Sequence, residues 1–408
     1  MKLWNRNFTI LTIGSFISAF GSAAAGIAFG ILIYVETGSP LTLALFTIAN
    51  VIPRIVTNFL IGPFVDRNSR RKIIISIDYF YSFFFLVISL VLFSGFFNVI
   101  VFTLIASLFG IIDTIYQTAF MSLFPEVIPK GFHSKAYSIS SLIWPISAAV
   151  MAPVAAFFIT NFDNGTALLM LFNAGTFVIT ATFEIFIRLE EKLNQRLVKG
   201  PQFLIDLKEG IHYYKKERGI LGIGILFAAF SFVYAAGDLL KMPYFIESNM
   251  YTIQHYSFLI SAGAIGRMVG GVVHYLFKYP PKKKFLIAIC VYITVEIMGA
   301  TELFMPYVLM IIFSFIIGLL SVTSFNIRMS ATQTYIPGDI RGRVNSTQQL
   351  LWNIGAILGA LIIGFIAEYS NIDYRFIILG TASVSLTAIF LVPIRMKEEF
   401  KKIYNVDV

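Results

Sequence analysis

Ionisable side chains inside long apolar segments are costly and commonly mark functional positions, and four of those in this chain are the main candidates for binding a proton or a substrate. They are Asp113, Asp238, Lys241 and Arg328. Asp113 is the most isolated of the four, so it is the best candidate for binding and releasing a proton. Asp238 and Lys241 are three residues apart on one helix face and are expected to neutralise each other. Arg328 lies close enough to the end of its segment for the guanidinium to reach the membrane surface.

A short, strongly charged segment, residues 62–72, joins two of the apolar runs. Gly62 would let two helices approach closely, and Asp66 would accept hydrogen bonds at the open N-terminus of a neighbouring helix. Arginine binds carboxylates in fork geometry, and Asp78 is the nearest candidate partner for the arginines of this segment. The pattern predicts a contact that holds one conformation and is released in another. Its candidate members are Gly62, Asp66, Arg67, Arg70, Arg71 and Asp78, together with Arg341 and Arg343 in a matching loop of the second half.

Membrane-spanning helices are needed to position these residues. About 20 apolar residues cross the hydrocarbon core of a bilayer, and the hydropathy pattern of the 408 residues predicts twelve such spans. The predicted spans are residues 8–35, 41–65, 73–93, 98–123, 136–160, 166–188, 219–246, 254–278, 284–305, 307–334, 343–367 and 372–394.

The distribution of cations predicts that both termini lie in the cytoplasm. Of the 31 Lys and Arg residues, 26 fall in cytoplasmic segments or at the cytoplasmic ends of spans, four lie deeper inside spans, and one, Arg375, lies at the external end of the last span. Cytoplasmic loops are enriched in Lys and Arg. A wrong number of spans would therefore destroy this asymmetry.

The composition argues against most other classes of protein. The chain is 57% hydrophobic and only 13% charged, whereas a soluble domain carries about 25% charged residues. The net charge of +9 is explained by cations at helix ends, so no nucleic-acid partner is expected. A phosphate-binding loop ending in Gly-Lys-Ser/Thr is absent and the four histidines are scattered. The sequence therefore predicts no enzyme, no metal site and no cofactor.

The longest polar stretch divides the chain. Residues 189–218 are predicted to be a cytoplasmic linker with a surface helix near 203–214. The linker separates an N-terminal six-helix bundle, residues 1–188, from a C-terminal six-helix bundle with a short cytoplasmic tail, residues 219–408.

A repeat relates the two halves. A shift of 208 residues places Trp144 on Trp352 and Gly62 on Gly270, so two of the three tryptophans coincide without a gap. Duplicated helical units are common in transporters, whose substrates bind near the midplane where the repeats meet.

The charged segment resembles a signature of the major facilitator superfamily, Gly-x-x-x-Asp-Arg-x-x-Arg-Arg, found between spans two and three. Residues 337–344 and 33–40 are similar to elements of the macrolide and siderophore exporter branch. The resemblance covers essentially the whole chain. It implies a fold of two pseudo-symmetric six-helix bundles, a cavity lined by spans 1, 4, 7 and 10, and alternating access. It also implies that Asp66 docks near the start of span eleven in one state.

Exporters of this superfamily often carry a glycine-rich motif in span five. In this chain Ala152, Pro153 and Ala156 occupy the corresponding positions, so the small residues and the proline remain but the glycines do not. The alanines suit close helix packing whichever way transport runs. The altered motif weakens the case for export without removing it.

The sequence thus predicts an all-α, multi-pass and monomeric protein of a bacterial plasma membrane. Its expected activity is secondary transport by alternating access, with proton-coupled efflux of amphipathic small molecules such as macrolide-like drugs as the favoured form. Protons are the expected coupling ion. Two alternatives stay open: uptake of a nutrient or metabolite, and a non-transporting sensor or lipid scramblase on the same fold.

Overall fold

The computed structural model describes residues 3–189, 202–277, 279–338 and 340–405, except for the side chains of Ser134, Tyr275 and residues 202–207. Over this part of the chain the protein is built from α-helices joined by short connections, without β-strands. Residues 190–201 of the predicted linker and Asp339 lie outside the described residues.

Seven helices make up the first half of the chain. They are α1 (Arg6–Thr37), α2 (Pro40–Leu60), α3 (Gly62–Arg67), α4 (Arg70–Phe93), α5 (Val99–Val127), α6 (His133–Asn161) and α7 (Gly165–Glu184).

Eight helices follow in the second half. They are α8 (Gln202–Lys216), α9 (Arg218–Glu247), α10 (Ile253–Leu276), α11 (Lys284–Thr301), α12 (Tyr307–Tyr335), α13 (Arg341–Tyr369), α14 (Tyr374–Ile389) and α15 (Lys397–Tyr404). The helix α8 lies where the surface helix near 203–214 was predicted.

Twelve of the helical segments in the described residues are long and apolar enough to cross a membrane, which confirms the predicted number of spans. Some predicted boundaries are wrong by a few residues, and span two shows this most clearly. Span two was expected to run to residue 65, but α2 ends at Leu60 and the short helix α3 begins at Gly62. Pro63 explains the break, because proline lacks an N–H and its ring clashes with the carbonyl four residues earlier in a continuous helix.

The chain separates into two compact units. One comprises Met1–Gly38 and Leu45–Val198, and the other comprises Ser39–Ala44 and Lys199–Val408. In the first unit α7 packs against both α1 and α4, and α1 also packs against α6. In the second unit the most extensive pairings are α10 with α12 and α9 with α13.

The two glycines related by the 208-residue shift differ in their surroundings. A Cβ on Gly270 would lie 2.7 Å from the carbonyl oxygen of Leu319, so α10 and α12 can approach here only because the side chain is absent. A Cβ on Gly62 would meet no atom within 4 Å. The prediction of a close helix approach at Gly62 is therefore wrong. Its counterpart in the second unit, Gly270, does lie at such an approach.

This difference predicts opposite outcomes for a matched pair of substitutions. Gly270→Ala is expected to lower stability by about 1–3 kcal/mol through overpacking. Gly62→Ala is expected to change it by less than about 0.5 kcal/mol. Thermal unfolding of the two purified variants measures the contrast, and equal stability of the two would contradict it.

Candidate functional site

The charged segment 62–72 forms contacts within the first unit. Ser69 caps α4 by accepting a hydrogen bond from the backbone N–H of Lys72 at 3.2 Å. Arg70 forms an ion pair with Glu126 at the end of α5, and its guanidinium lies 3.8 Å from the Asp66 carboxylate on α3. Arg70 therefore connects three helices, α3, α4 and α5. Arg67 is exposed at the end of α3.

Asp78 does not take the place predicted for it. It is fully buried, and neither carboxyl oxygen receives a hydrogen bond from an arginine in the described structure. Arg71 instead donates to the main-chain carbonyls of Glu184, at 3.4 Å, and Ile185. The prediction that Asp78 binds an arginine of the segment is therefore wrong. Main-chain carbonyls where α7 ends bind Arg71 instead, since the last four carbonyls of a helix lack their usual partners within it.

A cavity of about 440 Å³ opens within the first unit. Its wall combines aromatic rings with a few hydroxyl, amide and carboxyl groups, and Asp113 is its one acidic residue. The lining residues are Ser15, Ser18, Ala19, Ser22, Ala25, Gly26, Phe29, Asn50, Tyr81, Phe85, Phe109, Asp113, Tyr116, Gln117, Phe120, Ser140, Ile143, Trp144 and Phe177. They come from α1, α2, α4, α5, α6 and α7. The predicted spans 1 and 4 correspond to α1 and α5, so both contribute to the cavity wall.

Asp113 is not isolated, contrary to the prediction. Arg54 of α2 lies 2.7 Å from its carboxylate, and the Asp113 side chain is one-third exposed. Close packing of α2 and α5 brings the two together. A Cβ on Gly110 would overlap the Asn50 carbonyl, and Asn50 donates to the Ala106 carbonyl at 2.9 Å. Asn50 precedes Arg54 by four residues and Gly110 precedes Asp113 by three, so the contact between Asn50 and Gly110 lies about one helical turn before the ion pair.

A smaller cavity, of about 250 Å³, lies within the second unit and is rich in charge. Lys241 and Asp238 line it, but the predicted pairing between them is replaced by another. Lys241 forms its ion pair with the fully buried Glu302, which also accepts a hydrogen bond from Ser314. Asp238 lies within electrostatic range of Lys241 and of Arg267. Since Glu302 is the more deeply buried acid, it has the greater need of a counterion.

Arg328 does not reach the membrane surface, which makes the predicted surface position wrong. It is 3% exposed, and its guanidinium lies 4.2 Å from the ring centroids of Phe227 and of Trp352. Aromatic faces attract a cation, so the rings of α9 and α13 hold the charge inside the second unit. Burial raises the pKa of the Tyr214 hydroxyl on the surface helix α8, and the nearby Arg328 acts in the opposite direction.

The two arginines of the matching loop have partners in the second unit. Arg341 donates to the carbonyl of Ile336 where α12 ends, at 3.2 Å. Arg343 forms an ion pair with Glu209 of α8. In the first unit, Ala152 and Ala156 of α6 are fully buried, and Pro153 lies between them.

Three acidic residues that matter for these contacts were missed in the sequence. Glu184 stands four residues before Arg188, which is the spacing of an ion pair along a helix, but α7 ends at Glu184, so that spacing does not apply. Glu126 lies beyond the predicted span 98–123, whereas α5 continues through Pro125 to Val127. Glu302 had a usable signal, because it is an acid inside a predicted span.

Almost the whole chain is similar to a known protein family and to individual bacterial proteins. A family model described as Major Facilitator Superfamily matches residues 11–295 and 278–404. Macrolide efflux protein A of Streptococcus pyogenes is 22% identical over 394 residues, which cover 95% of each chain. The MFS-type transporter YkuC of Bacillus subtilis (strain 168) is 23% identical, covering 92% of this chain and 89% of the relative.

Solved structures share the same fold. The nucleoside transporter NupG superposes with a TM-score of 0.73 at 14% identity, covering 97% of this chain and 100% of that one. A bacterial homologue of the iron transporter ferroportin, in its inward-facing state, gives a TM-score of 0.69 at 16% identity, with coverage of 96% and 98%. At these identities the likeness concerns the fold and leaves the substrate open.

Proposed function

Because this chain belongs to the major facilitator superfamily and is a carrier rather than an enzyme, we propose that it exports amphipathic, macrolide-like compounds in exchange for protons. The cavity of the first unit is the main support. Its volume of about 440 Å³ falls in the range of pockets that bury drug-sized ligands. Its aromatic wall suits an apolar body, and its few polar groups suit orientation of the substrate. The similarity to macrolide efflux proteins points to the same substrate class.

The ion pair between Arg54 and Asp113 is the proposed coupling element. Both side chains are partly exposed and Asp113 lines the cavity, so Asp113 can exchange a proton there. A proton on the carboxyl removes its negative charge and releases Arg54, whereas loss of the proton restores the pair. Substrate and proton would thus bind alternately in one cavity. Of the other candidates, Lys241 and Arg328 are held by Glu302 and by aromatic rings, which favours structural roles for them.

The proposed topology places both termini in the cytoplasm and the protein in the plasma membrane of a bacterium. The two bundles, residues 1–188 and 219–408, would rock about the linker 189–218 as a monomer. In this arrangement the charged segment 62–72 faces the cytoplasm, and Asp66 docks near the start of α13 in one state. Asp66 is half-exposed and only 3.8 Å from Arg70, so it is accessible for such a contact.

This gating role predicts a kinetic effect without a binding effect. Asp66→Asn is expected to slow transport several-fold, because the contact that stabilises one conformation is weakened. Equilibrium affinity for the substrate should stay the same, since the residue lies outside the cavity lining. Rates in vesicles and binding to purified protein measure the two quantities, and a large loss of binding would contradict a gating role.

Direction and substrate class are tested together in everted membrane vesicles. Vesicles from cells that express the protein should accumulate radiolabelled erythromycin when respiration acidifies their interior, and vesicles without the protein should not. Accumulation should collapse when a protonophore is added. Accumulation only in right-side-out vesicles would support uptake instead, and movement in neither would favour the sensor.

A further inference from the structure

Two carboxyl groups meet in the packing between α4 and α7. Asp78 is fully buried, Glu184 is 1% exposed, and the two side chains interact with each other. None of their four oxygens receives a hydrogen bond from any other residue in the described structure. The coupling scheme based on Asp113 uses neither carboxyl, so their burial needs a separate explanation.

The cation that lies nearest along α4 does not neutralise this pair. Arg71 precedes Asp78 by seven residues and so lies on the same face of α4. Its guanidinium donates to the main-chain carbonyls of Glu184 and Ile185. The carboxyl oxygens of Glu184 receive no such bond.

The other helices packed around the pair bring no cation to it either. α1 places Gly14 beside the Glu184 carboxyl and has no ionisable side chain in its central part. α6, which packs on α7, has none after Tyr137. The titratable groups described near the pair are the phenols of Tyr81 and Tyr116. Both phenols also lie in electrostatic range of a third acid, Asp113, which forms its ion pair with Arg54.

Elementary electrostatics limits the charge that this site can hold. Two adjacent carboxylates without a counterion in the protein interior repel each other, and each also loses its hydration. A single proton removes one charge and supplies the missing hydrogen-bond donor, as in other carboxyl pairs that share a site. We propose that Asp78 and Glu184 form a proton-binding site in which the two carboxyls share one proton.

Occupancy of this site would act on helix packing. With the proton bound, the two carboxyls hold α4 and α7 together. Without it, two negative charges face each other, and the helices must separate or admit water. Arg71 lies about two turns before Asp78 on the same face of α4. Its hydrogen bonds connect the end of α7 to the charged segment 62–72. Binding of the proton would therefore change helix packing next to the proposed gate. This link to transport rests on the proposed function, whereas the shared proton itself does not.

Tyr116 offers the pair a connection to the cavity. This residue lines the cavity wall, and its phenol lies within electrostatic range of Asp78, Glu184 and Asp113. Tyr116 is thus a residue of the cavity wall that lies near both Asp113 and the buried pair.

Infrared spectroscopy of the full-length protein in lipid nanodiscs tests the shared proton directly. At pH 7 the wild type should show a protonated-carboxyl C=O band that shifts on exchange into D₂O. The difference spectrum between wild type and Asp78→Asn/Glu184→Gln should contain the loss of one such carboxyl. The double variant should fold, because its amides supply the hydrogen bond that the proton provided.

Asp113→Asn is the matched control, and the band of the buried pair should persist in it. Should the double variant not be recovered, Glu184→Gln alone gives the same comparison, since its amide can donate to Asp78. An unchanged protonated-carboxyl band in these variants, or its absence from the wild type at pH 7, would overturn the proposal. Because the readout needs no substrate, its failure is distinguishable from failure of the transport experiment.

Discussion

Replacing Asp113 with asparagine is expected to abolish proton-driven export and to leave the protein folded in the membrane. Asparagine has nearly the shape of aspartate and can still contact Arg54, which lies 2.7 Å from the native carboxylate. It cannot bind and release a proton at neutral pH, so the charge of the site no longer changes during the cycle. Energised erythromycin accumulation in everted vesicles should fall to the level of vesicles that lack the protein.

Two controls separate loss of coupling from loss of structure. Asp163→Asn changes an exposed acid between α6 and α7 and should transport like the wild type. Exchange of labelled for unlabelled drug, without a proton gradient, should persist in Asp113→Asn because the cavity itself is intact. Normal energised accumulation in Asp113→Asn would remove this residue from the coupling mechanism.

Replacing Lys241 with methionine is expected to destabilise the second unit strongly. The change leaves the fully buried Glu302 without its cation, and removing one partner of a buried ion pair costs about 3–5 kcal/mol. Because Lys241 is one-quarter exposed, we expect the lower end of that range, about 3 kcal/mol. Thermal unfolding of the purified protein measures the loss.

Two further variants serve as controls for the stability of Lys241→Met: a double variant that should restore it and a variant that breaks a surface ion pair. Lys241→Met/Glu302→Gln removes the uncompensated charge while Ser314 can still bond residue 302, so most of the lost stability should return. Lys401→Met breaks a surface pair with Glu398, whose side chain is 80% exposed, and should cost less than about 1 kcal/mol. Wild-type stability of Lys241→Met would show that Glu302 does not depend on this lysine.

The twelve spans and the family could be predicted because the signals for both come from short stretches of consecutive residues. Hydropathy over about 20 residues identifies a span, and the signature at 62–72 occupies consecutive positions. The break before α3 was equally local, since Pro63 marks it, but a continuous apolar run concealed it. Gly62 shows the limit, because its residue type permits a close approach that the fold does not use.

The partners of the buried charges could not be predicted, because they depend on which helices pack together. Asp113 meets Arg54 from another helix, and Lys241 meets Glu302 across 61 positions of sequence. Spacing on a single helix favoured Asp238 as the partner of Lys241. Lys241 pairs with Glu302 because Glu302 is more deeply buried than Asp238. How deeply an acid is buried depends on helix packing rather than on sequence spacing.

Proton flux that accompanies drug flux tests the central claim most directly. Purified protein is reconstituted into liposomes that contain a pH-sensitive dye, and an erythromycin gradient is imposed in the absence of any pH gradient. The proposal predicts proton movement opposite to the drug, in constant ratio to it, in the wild type, and none in Asp113→Asn. Drug movement in the wild type without any movement of protons would contradict it.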